Sequence, residues 1–357
     1  MGRRVSWISV GVMLLVAVAP GAVAVGMSVL GSSLAHDVRS ATLFEDGVPS
    51  SVPTSHLGAG SLTGPGTQGD PIPVGTDPDW LAYDSGKKEI FVTNEGSNNV
   101  SVISGTSKKV VATVPVGSFP QGVAYDSGTN EVFVANDGSN NVSVISDATN
   151  KVVATVPVGA NPAGVAYDPK KNEVFVTNDG SKNVSVISGA TNKVVATIKV
   201  GEYPTLLAYD SGKKEVFVAN AGSSSVSVIS AVTDRVVATV IVGFSPTGVA
   251  YDSGTKEVFV TNFASDNVSV ISDATNRVVA TIPVGTQPNG VAYDPTENEL
   301  FVANGGSDNV SVISDATNGV VATITVGSNP VGVAYDSAKK DVFVANIDSN
   351  DVSVFSA

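Results

Sequence analysis

The chain has 357 residues, a net charge of −13 and a pI near 4.5, and it contains no cysteine. An acidic surface repels phosphate groups, so we expect neither nucleic acid nor an anionic lipid surface as a partner. Without cysteine, disulfides, thiolate metal sites and a cysteine nucleophile are all excluded.

The first 35 residues have the features of an export signal or a membrane anchor. Arg3 and Arg4 precede an uncharged stretch, residues 5–35, in which Ala22-Val23-Ala24 offers a small-residue cleavage site. The same stretch is long enough to cross a bilayer, so a cleaved signal and a retained anchor both stay open. In either case we expect the rest of the chain to be exported to the cell surface or beyond, with membrane contact only through this segment.

Residues 36–70 are predicted to form a flexible linker. Eight glycines and prolines fall between residues 49 and 69, and the segment shows no hydrophobic periodicity. Glycine and proline in such a stretch interrupt regular structure and favour an extended, solvated chain.

The remainder of the chain repeats with a period of 42 residues and no insertion. Each unit opens with the glycine of a Val-Gly pair, at Gly75, Gly117, Gly159, Gly201, Gly243, Gly285 and Gly327. A fixed period of this length indicates one small supersecondary unit copied in series, which buries its apolar faces only against its neighbours.

One unit, residues 117–158, contains four predicted strands. They are residues 122–126, 131–136, 141–146 and 151–158. Short runs of Gly, Asn, Asp, Ser and Thr separate them, as expected of tight turns between antiparallel strands. Four such strands make one propeller blade, so the sequence predicts an all-β, seven-bladed β-propeller over residues 71–357.

The seventh unit ends at Ala357, directly after its third strand. Its fourth strand must therefore come from elsewhere in the chain. The segment Ile72-Pro73-Val74-Gly75 matches residues 156–159 in register. We expect this N-terminal strand, at about residues 71–74, to complete the last blade and close the ring, which removes an open sheet edge.

Each second strand ends in Phe-Val-Thr-Asn or Phe-Val-Ala-Asn, and the final residues are Asn94, Asn136, Asn178, Asn220, Asn262, Asn304 and Asn346. The motif resembles the YVTN propeller repeat of archaeal and bacterial surface-layer proteins, with phenylalanine in place of tyrosine. The resemblance covers residues 71–357 and implies a propeller fold. Related propellers serve as adhesive surface modules, lactone hydrolases and redox-protein domains, so the resemblance leaves function open.

Alignment of the seven units separates scaffold from candidate site. A tyrosine, an aspartate, the strand-two phenylalanine and the final asparagine recur in every unit, as packing and turn formation require. The copies differ mainly in the connection before strand one and in the turn between strands two and three, which must share one face. Function is therefore expected on that face.

Aromatic residues outside the repeated set concentrate there. We predict a binding surface for a protein or glycan partner built from Trp80, Phe119, Glu202, Tyr203, Phe244 and Phe263. Trp80 and Leu206 replace a glycine present in the other five units. The alternative interpretation is sequence drift, with loop aromatics folded back over the sheet ends.

Asn-Val-Ser sequons open the third strands at Asn99, Asn141, Asn183, Asn267 and Asn309. In an exported protein these are acceptors for N-glycosylation. A sequon in an ordered strand is harder to modify than one in a loop, and the serine also suits strand alternation. Glycosylation and a purely structural role both stay open.

Catalysis has little support from the residues. The two histidines, His36 and His56, lie in the linker, so the propeller has no imidazole base or histidine metal ligand. We therefore predict no cofactor and no enzyme activity. The resemblance to propeller lactonases implies one alternative, a calcium-dependent hydrolase with Asp79, Glu202 and Asn289 as the ligands. The expected function is a secreted or membrane-tethered surface module, such as a surface-layer protein.

Overall fold

Residues 68–357 form 28 β-strands in seven four-stranded sheets, as described by a computed structural model. Each sheet is antiparallel, and the predicted seven-bladed β-propeller is confirmed. The predicted signal or anchor and residues 36–67 of the predicted linker lie outside the described residues. Within residues 68–357 there is no helix with the length and apolarity that a membrane crossing needs.

The first strand of each blade is innermost. These strands are β2 (Pro78–Asp84), β6 (Pro120–Asp126), β10 (Pro162–Asp168), β14 (Pro204–Asp210), β18 (Pro246–Asp252), β22 (Pro288–Asp294) and β26 (Pro330–Asp336). Each contacts the first strands of both neighbouring blades, including β2 with β26, so they form a closed inner ring. A β-bulge follows the leading proline in all seven, which adds one residue on the first strand.

The second and third strands form the buried middle of each blade. The second strands are β3 (Glu89–Asn94), β7 (Glu131–Asn136), β11 (Glu173–Asn178), β15 (Glu215–Asn220), β19 (Glu257–Asn262), β23 (Glu299–Asn304) and β27 (Asp341–Asn346). The third strands are β4 (Asn99–Ser104), β8 (Asn141–Ser146), β12 (Asn183–Ser188), β16 (Ser225–Ser230), β20 (Asn267–Ser272), β24 (Asn309–Ser314) and β28 (Asp351–Ser356). Every second strand is buried on both faces after its first residue, which explains its continuous apolar run.

The outermost strands face solvent. Six blades have a seven-residue fourth strand: β5 (Lys109–Pro115), β9 (Lys151–Pro157), β13 (Lys193–Lys199), β17 (Arg235–Ile241), β21 (Arg277–Pro283) and β25 (Gly319–Thr325). Five of these begin with Lys or Arg and three end in Pro. Both features discourage pairing with another sheet edge.

The N-terminal segment completes the seventh blade, as predicted. Strand β1 (Ile72–Pro73) pairs antiparallel with β28, with Ile72 opposite Val352 and Pro73 opposite Asp351. Two residues of the predicted linker also contact the seventh blade, because Gln68 bridges Phe355 and the Gly69 amide donates to the Val354 carbonyl at 2.9 Å. The ring is thereby closed by residues from both ends of the propeller sequence.

Seven hydrophobic clusters lie between the blades. Six of them draw side chains from two adjacent blades; the cluster of Leu81, Ile90 and Ile103, for example, also contains Phe343 and Val354 of the seventh blade. The cluster around Trp80 joins the first two blades and also includes residues of the fourth and seventh. The strand-two phenylalanines are all fully buried in these clusters. Burying one such side chain contributes roughly 1.5–3 kcal/mol, so a single blade is stable only beside its neighbours.

The repeated aspartate and tyrosine link consecutive blades. Asp84 Oδ1 accepts the Gly86 amide at 2.7 Å and the Lys87 amide at 3.1 Å, which forms an Asx-turn. Burial and the Asp84 carboxylate of the preceding blade together raise the pKa of Tyr125. The same arrangement recurs across the ring closure, where Tyr83 faces Asp336.

The repeated asparagine joins the blade to the connection that precedes it. Asn94 Nδ2 donates to Asn99 Oδ1 at 2.8 Å and to Ser101 Oγ at 3.0 Å, and Asn94 Oδ1 accepts the Gly75 amide at 3.1 Å. A Cβ on Gly75 would lie 2.6 Å from Asn94 Cγ. Glycine is therefore required where each repeat opens.

Candidate binding face

The propeller has two faces, which we call the loop face and the opposite face. The loop face consists of the connections before each first strand and the turns between second and third strands. The opposite face consists of the turns between first and second strands and between third and fourth strands. Antiparallel pairing puts each set of connections at one end of the sheets, as the sequence predicted.

Two rings of residues form the inner part of the loop face. The first contains the residue before each leading proline, and all seven have φ between 50° and 53°: Asp77, Phe119, Asn161, Tyr203, Ser245, Gln287 and Asn329. The second contains the first residue of each turn between strands two and three: Glu95, Asp137, Asp179, Ala221, Phe263, Gly305 and Ile347. In every blade the amide of the second-ring residue donates to the carbonyl of the first-ring residue, as Asp137 does to Phe119 at 2.9 Å.

Phe119 and Tyr203 are strained as well as exposed. A left-handed φ suits the Asn and Asp found in other blades, but it costs a bulky side chain roughly 1–2 kcal/mol. The aromatic ring of each residue packs against a turn glycine of its own blade. A Cβ on Gly138 would lie 2.5 Å from Phe119 Cδ2, and one on Gly222 would lie 2.3 Å from Tyr203 Cδ2. Phe119 nevertheless stays 39% exposed and Tyr203 53% exposed.

The fifth blade adds a second group of apolar residues. Phe244 is 69% exposed, and Phe263 is half-buried in the neighbouring turn. The two loops are joined, because the Ala264 amide donates to the Phe244 carbonyl at 3.2 Å. Ile241, which ends β17 of the fourth blade three residues before Phe244, is 71% exposed.

The prediction that Trp80 is an exposed loop aromatic is wrong. Trp80 lies within β2, and its side chain is only 9% exposed. The indole turns inward across the ring, since a Cβ on Gly290 of the sixth blade would lie 3.1 Å from Trp80 Cζ3. Leu206 of the fourth blade and Val331 of the seventh belong to the same apolar cluster. Trp80 and Leu206, which replace glycine, therefore occupy space inside the ring of first strands.

The residues proposed as calcium ligands occupy different environments. Glu202 lies on the surface and pairs with Lys182 at 2.5 Å. Asp79 and Asn289 are buried at the leading ends of β2 and β22, with 1% and 2% exposure. Among residues 68–357, no three or more His, Asp or Glu side chains form a group that could hold a metal ion.

Asp79 is a buried carboxyl group of the loop face. Neither of its carboxylate oxygens has a hydrogen-bond partner. Burial, followed by repulsion from Glu95 and Asp77, raises the pKa of Asp79 well above its usual range. Two blades further on, burial and the charge of Asp137 raise the pKa of Asp179 to about 6.

Charge divides the propeller along its axis. The connections of the loop face carry eight carboxylates: Asp77, Glu95, Asp137, Asp179, Glu202, Asp266, Asp308 and Asp348. They carry one lysine, Lys182. The turns of the opposite face carry ten lysines and five carboxylates, and ion pairs such as Lys340 with Glu297 at 2.7 Å form there. With the charged residues at the strand ends included, the opposite end has 19 carboxylates and 15 Lys or Arg side chains, so both ends are net negative and the loop face is the more acidic of the two.

The sequon asparagines have a structural role in the fold. Asn99 accepts a hydrogen bond from Asn94, and its own Nδ2 donates to the Ser97 carbonyl at 3.2 Å. In the seventh blade Asp351 replaces the sequon asparagine and still accepts from Asn346 at 2.7 Å. An acceptor is thus what the position requires, and glycosylation of these asparagines stays a prediction.

Two features of the loop face were not predicted from the sequence. Ile241 and Ile347 were not singled out, because aliphatic residues at strand ends give no pattern that separates exposed from buried positions. The charge division was readable from the sequence, since counting Lys against Asp and Glu turn by turn reveals it. Net charge alone conceals such a division.

Comparisons with known proteins support the propeller fold and do not bear on function. No protein-family model matches the chain, and a search of curated proteins finds no match. Among solved structures, Kuenenia stuttgartiensis hydrazine synthase is similar, with a TM-score of 0.72 and 20% identity over 84% of this chain and 99% of that chain. At this identity the likeness shows a shared propeller fold alone.

Proposed function

We propose that this chain is a non-enzymatic interaction module of the cell surface or the secreted fraction, which binds a protein or glycan partner through its loop face. The observation that carries the proposal is the exposure of Tyr203 and Phe244, at 53% and 69%, on the one face where the repeats differ. Exposed aromatics beside polar residues are typical of binding surfaces.

Backbone strain supports the same face. Phe119 and Tyr203 occupy positive-φ positions where Asn, Asp and Gln stand in other blades. A stabilising substitution is available at both places, so the aromatic rings are costly features that packing does not require. Their retention is explained by a contact with a partner.

Export and the surface-layer assignment belong to this proposal. The uncharged N-terminal stretch supports export, and the seven FV(T/A)N motifs support kinship with surface-layer repeats. The calcium-dependent hydrolase is not favoured, because Trp80 and Leu206 occupy the inner ring where such a site would need open space. No described feature supports a second function equally well.

The test compares three forms of the full chain for binding to a cell-envelope fraction of the source organism. The triple variant F119S/Y203S/F244S should lose about tenfold or more in affinity, as expected when several interface anchors are removed. The matched control is Val232→Ser, which removes an apolar side chain that is 63% exposed on the opposite face. It should bind as the unchanged chain does.

Two treatments of the envelope fraction identify the partner class. Protease treatment should abolish binding if the partner is a protein, and periodate oxidation should abolish it if the partner is a glycan. Undiminished binding by the folded triple variant would contradict the proposal. Circular dichroism before and after heating confirms that each variant keeps the fold.

A further inference from the structure

One fourth strand of the propeller differs from the others in its charge and its end residues. The fourth strands of the first five blades begin with Lys or Arg, and three of them also end in Pro. In the seventh blade, the N-terminal segment that forms this edge contains Asp70, Pro71 and Pro73. Strand β25 of the sixth blade begins with Gly319 and ends with Thr325. Among residues 68–357, β25 is therefore the only fourth strand that contains neither a charged residue nor a proline.

Such residues prevent an edge strand from pairing with another chain. The outermost strand of a sheet has a row of backbone N–H and C=O groups without partners, and a lysine or a proline there opposes the approach of a second strand. Within residues 68–357, β25 pairs with β24 alone, so its outer edge is free. We call it the unprotected edge. Its sequence is rich in β-branched residues, and no side chain from Ala316 to Tyr335 is charged, a composition that favours strand pairing.

Two positions of β25 are also less covered than in the other blades. Ile324 is half-buried, whereas its counterparts are at most 5% exposed: Val114, Val156, Ile198, Val240 and Ile282. Ala322 is exposed, whereas the equivalent alanines of the first five blades are half-buried. Val320 and Val321 are 41% and 55% exposed. The unprotected edge therefore offers apolar side chains as well as backbone groups.

The β-bulge in this strand leaves a regular segment available for pairing. The bulge lies at Val321 and recurs in the fourth strands of the first five blades, so it does not distinguish β25. From Ala322 to Thr325 the strand keeps a regular antiparallel register with β24. Because the Val326 amide donates to the residue that precedes β24, the amides of Thr323 and Thr325 point away from β24. These amides are donors for a further strand.

We propose that β25 is a docking edge for a second copy of this chain, with the two β25 strands paired antiparallel about a twofold axis. Each copy brings the same unprotected edge, so one contact satisfies the free backbone groups of both. The β-branched side chains of the two strands then lie opposite one another, and such cross-strand pairs stabilise a sheet. Because the propeller has one unprotected edge, association stops at a closed dimer. The inference concerns the rim of the propeller and does not depend on the partner of the loop face.

The charges near β25 are compatible with this pairing, despite the net charge of −13. Asp315, before the start of the strand, is buried, and Glu297 is paired with Lys340 at 2.7 Å. Asp308 lies beside the end of the strand, where its carbonyl accepts the amide of the residue that follows β25. Antiparallel pairing puts the two copies of Asp308 at opposite ends of the contact, each beside the uncharged turn residues 316–318 of the other copy. The carboxylates nearest to the strand are thus kept apart.

The contact is expected to be weak and to orient the two copies in opposite directions. A seven-residue edge buries less than about 1,200 Å², a size typical of transient contacts. Every long fourth strand runs from the opposite face to the loop face. Antiparallel pairing of two such strands therefore points the two loop faces away from each other.

Analytical ultracentrifugation of the full chain over a range of concentrations tests the dimer. The variant G319K/T325P gives β25 the end residues of β5 and β9, so it should fold, and it should weaken self-association about tenfold or more. The reverse variant K151G/P157T gives the chain a second unprotected edge at β9, so it should form species larger than a dimer. All three forms keep the same N-terminal segment, so any association through that segment does not distinguish them. Added salt should not weaken the dimer, because its contacts are uncharged.

Hydrogen–deuterium exchange locates the contact. At high protein concentration the peptide covering residues 319–326 should exchange more slowly than at low concentration, whereas the peptide covering residues 151–158 should not change. Val321→Lys should remove both this protection and the dimer. Val153→Lys is the matched control, because Val153 is 54% exposed and Val321 is 55% exposed. The control should leave both readouts unchanged.

The outcomes separate the proposed dimer from other kinds of association. Loss of the dimer in G319K/T325P and V321K, but not in V153K, supports the inference, provided that circular dichroism shows each variant to be folded. An unchanged chain that stays monomeric at millimolar concentration would overturn it, as would protection confined to other segments or an equal effect of Val153→Lys. Association that persists in G319K/T325P and falls with added salt would also overturn it, in favour of a charged contact. Envelope binding is measured separately, so failure of the dimer leaves the proposed function standing.

Discussion

The two faces of the propeller share one repeated backbone but differ in what their residues do. On the opposite face, each Asx-turn aspartate and tyrosine recurs blade after blade, and lysines pair with carboxylates across neighbouring turns. On the loop face, positions that correspond to one another in the seven blades hold an aromatic residue in one blade and an acidic, amide or small residue in another. In a repeat protein, positions that are the same in every repeat are explained by packing. Positions that differ between repeats are instead candidates for binding a partner.

The largest expected effect comes from the repeated scaffold. Phe217→Ala should reduce the free energy of unfolding by about 3–5 kcal/mol, because it opens a cavity between the fourth and fifth blades. Phe244→Ser on the loop face should change it by less than about 0.5 kcal/mol, since that ring is mostly exposed. Guanidinium denaturation of both variants measures the difference. Similar losses would mean that Phe244 belongs to the scaffold.

The second-largest effect is expected at alkaline pH, which should destabilise the repeated scaffold. The repeated tyrosines have raised pKa values, to about 12 for Tyr167 and Tyr335. A tyrosine whose pKa is raised by folding contributes stability that is complete below its unfolded pKa near 10 and is lost as pH rises toward 12. The melting temperature should therefore stay level up to about pH 10 and then fall. Ultraviolet titration showing full tyrosinate formation near pH 10 in a folded chain would contradict this.

Asp79→Asn should stabilise the protein at neutral pH. Burying the charged carboxylate is unfavourable at neutral pH, so its removal should raise the free energy of unfolding at pH 7 by about 1–3 kcal/mol. Asp79 has a raised pKa in the fold, so its own destabilising effect appears as pH rises and is absent at low pH. The stabilisation by Asn should accordingly disappear below about pH 4. Thermal melts at both pH values measure it, with Asp266→Asn as the control.

The smallest effect is expected at the sequon positions. Asn267→Asp should change stability by less than about 0.5 kcal/mol, since Asp351 fills the same role in the seventh blade. If the protein from its natural source carries a glycan there, intact mass will show it, and the substitution will remove that mass. A loss of several kcal/mol without any glycan would contradict the acceptor role assigned to this residue.

The fold was predictable because the repeat supplies seven independent readings of one pattern. Turn residues, strand lengths and even the closure by Ile72 and Pro73 followed from aligning the copies. The candidate site was predictable only in part. In the alignment of the seven units, Trp80 stands in the connection before the first strand, which suggested a loop position. In the structure it lies at a β-bulge, and five other blades have glycine at the equivalent position. Because those glycines have no Cβ, the indole has room to turn inward. Side-chain direction at a bulge depends on neighbouring blades, which a linear pattern does not describe.

The burial of Asp79 was hidden for a similar reason. The sequence analysis named Asp79 only as a candidate calcium ligand at the start of a first strand, with no indication that it is buried. It lies in β2, which packs between the first strands β6 and β26, and β26 is distant from it in sequence. The exposed rings of Phe119, Tyr203 and Phe244 were predictable, because their loops are polar and short and offer little apolar surface to cover them.

Hydrogen–deuterium exchange of the full chain, free and bound to its envelope partner, tests the central claim most directly. Binding through the loop face predicts slower exchange in peptides covering residues 117–120, 137–140, 201–204 and 243–246, with unchanged exchange in the opposite-face turns at 127–130 and 211–214. Protection confined to the opposite-face turns, with the loop face unchanged, would contradict it.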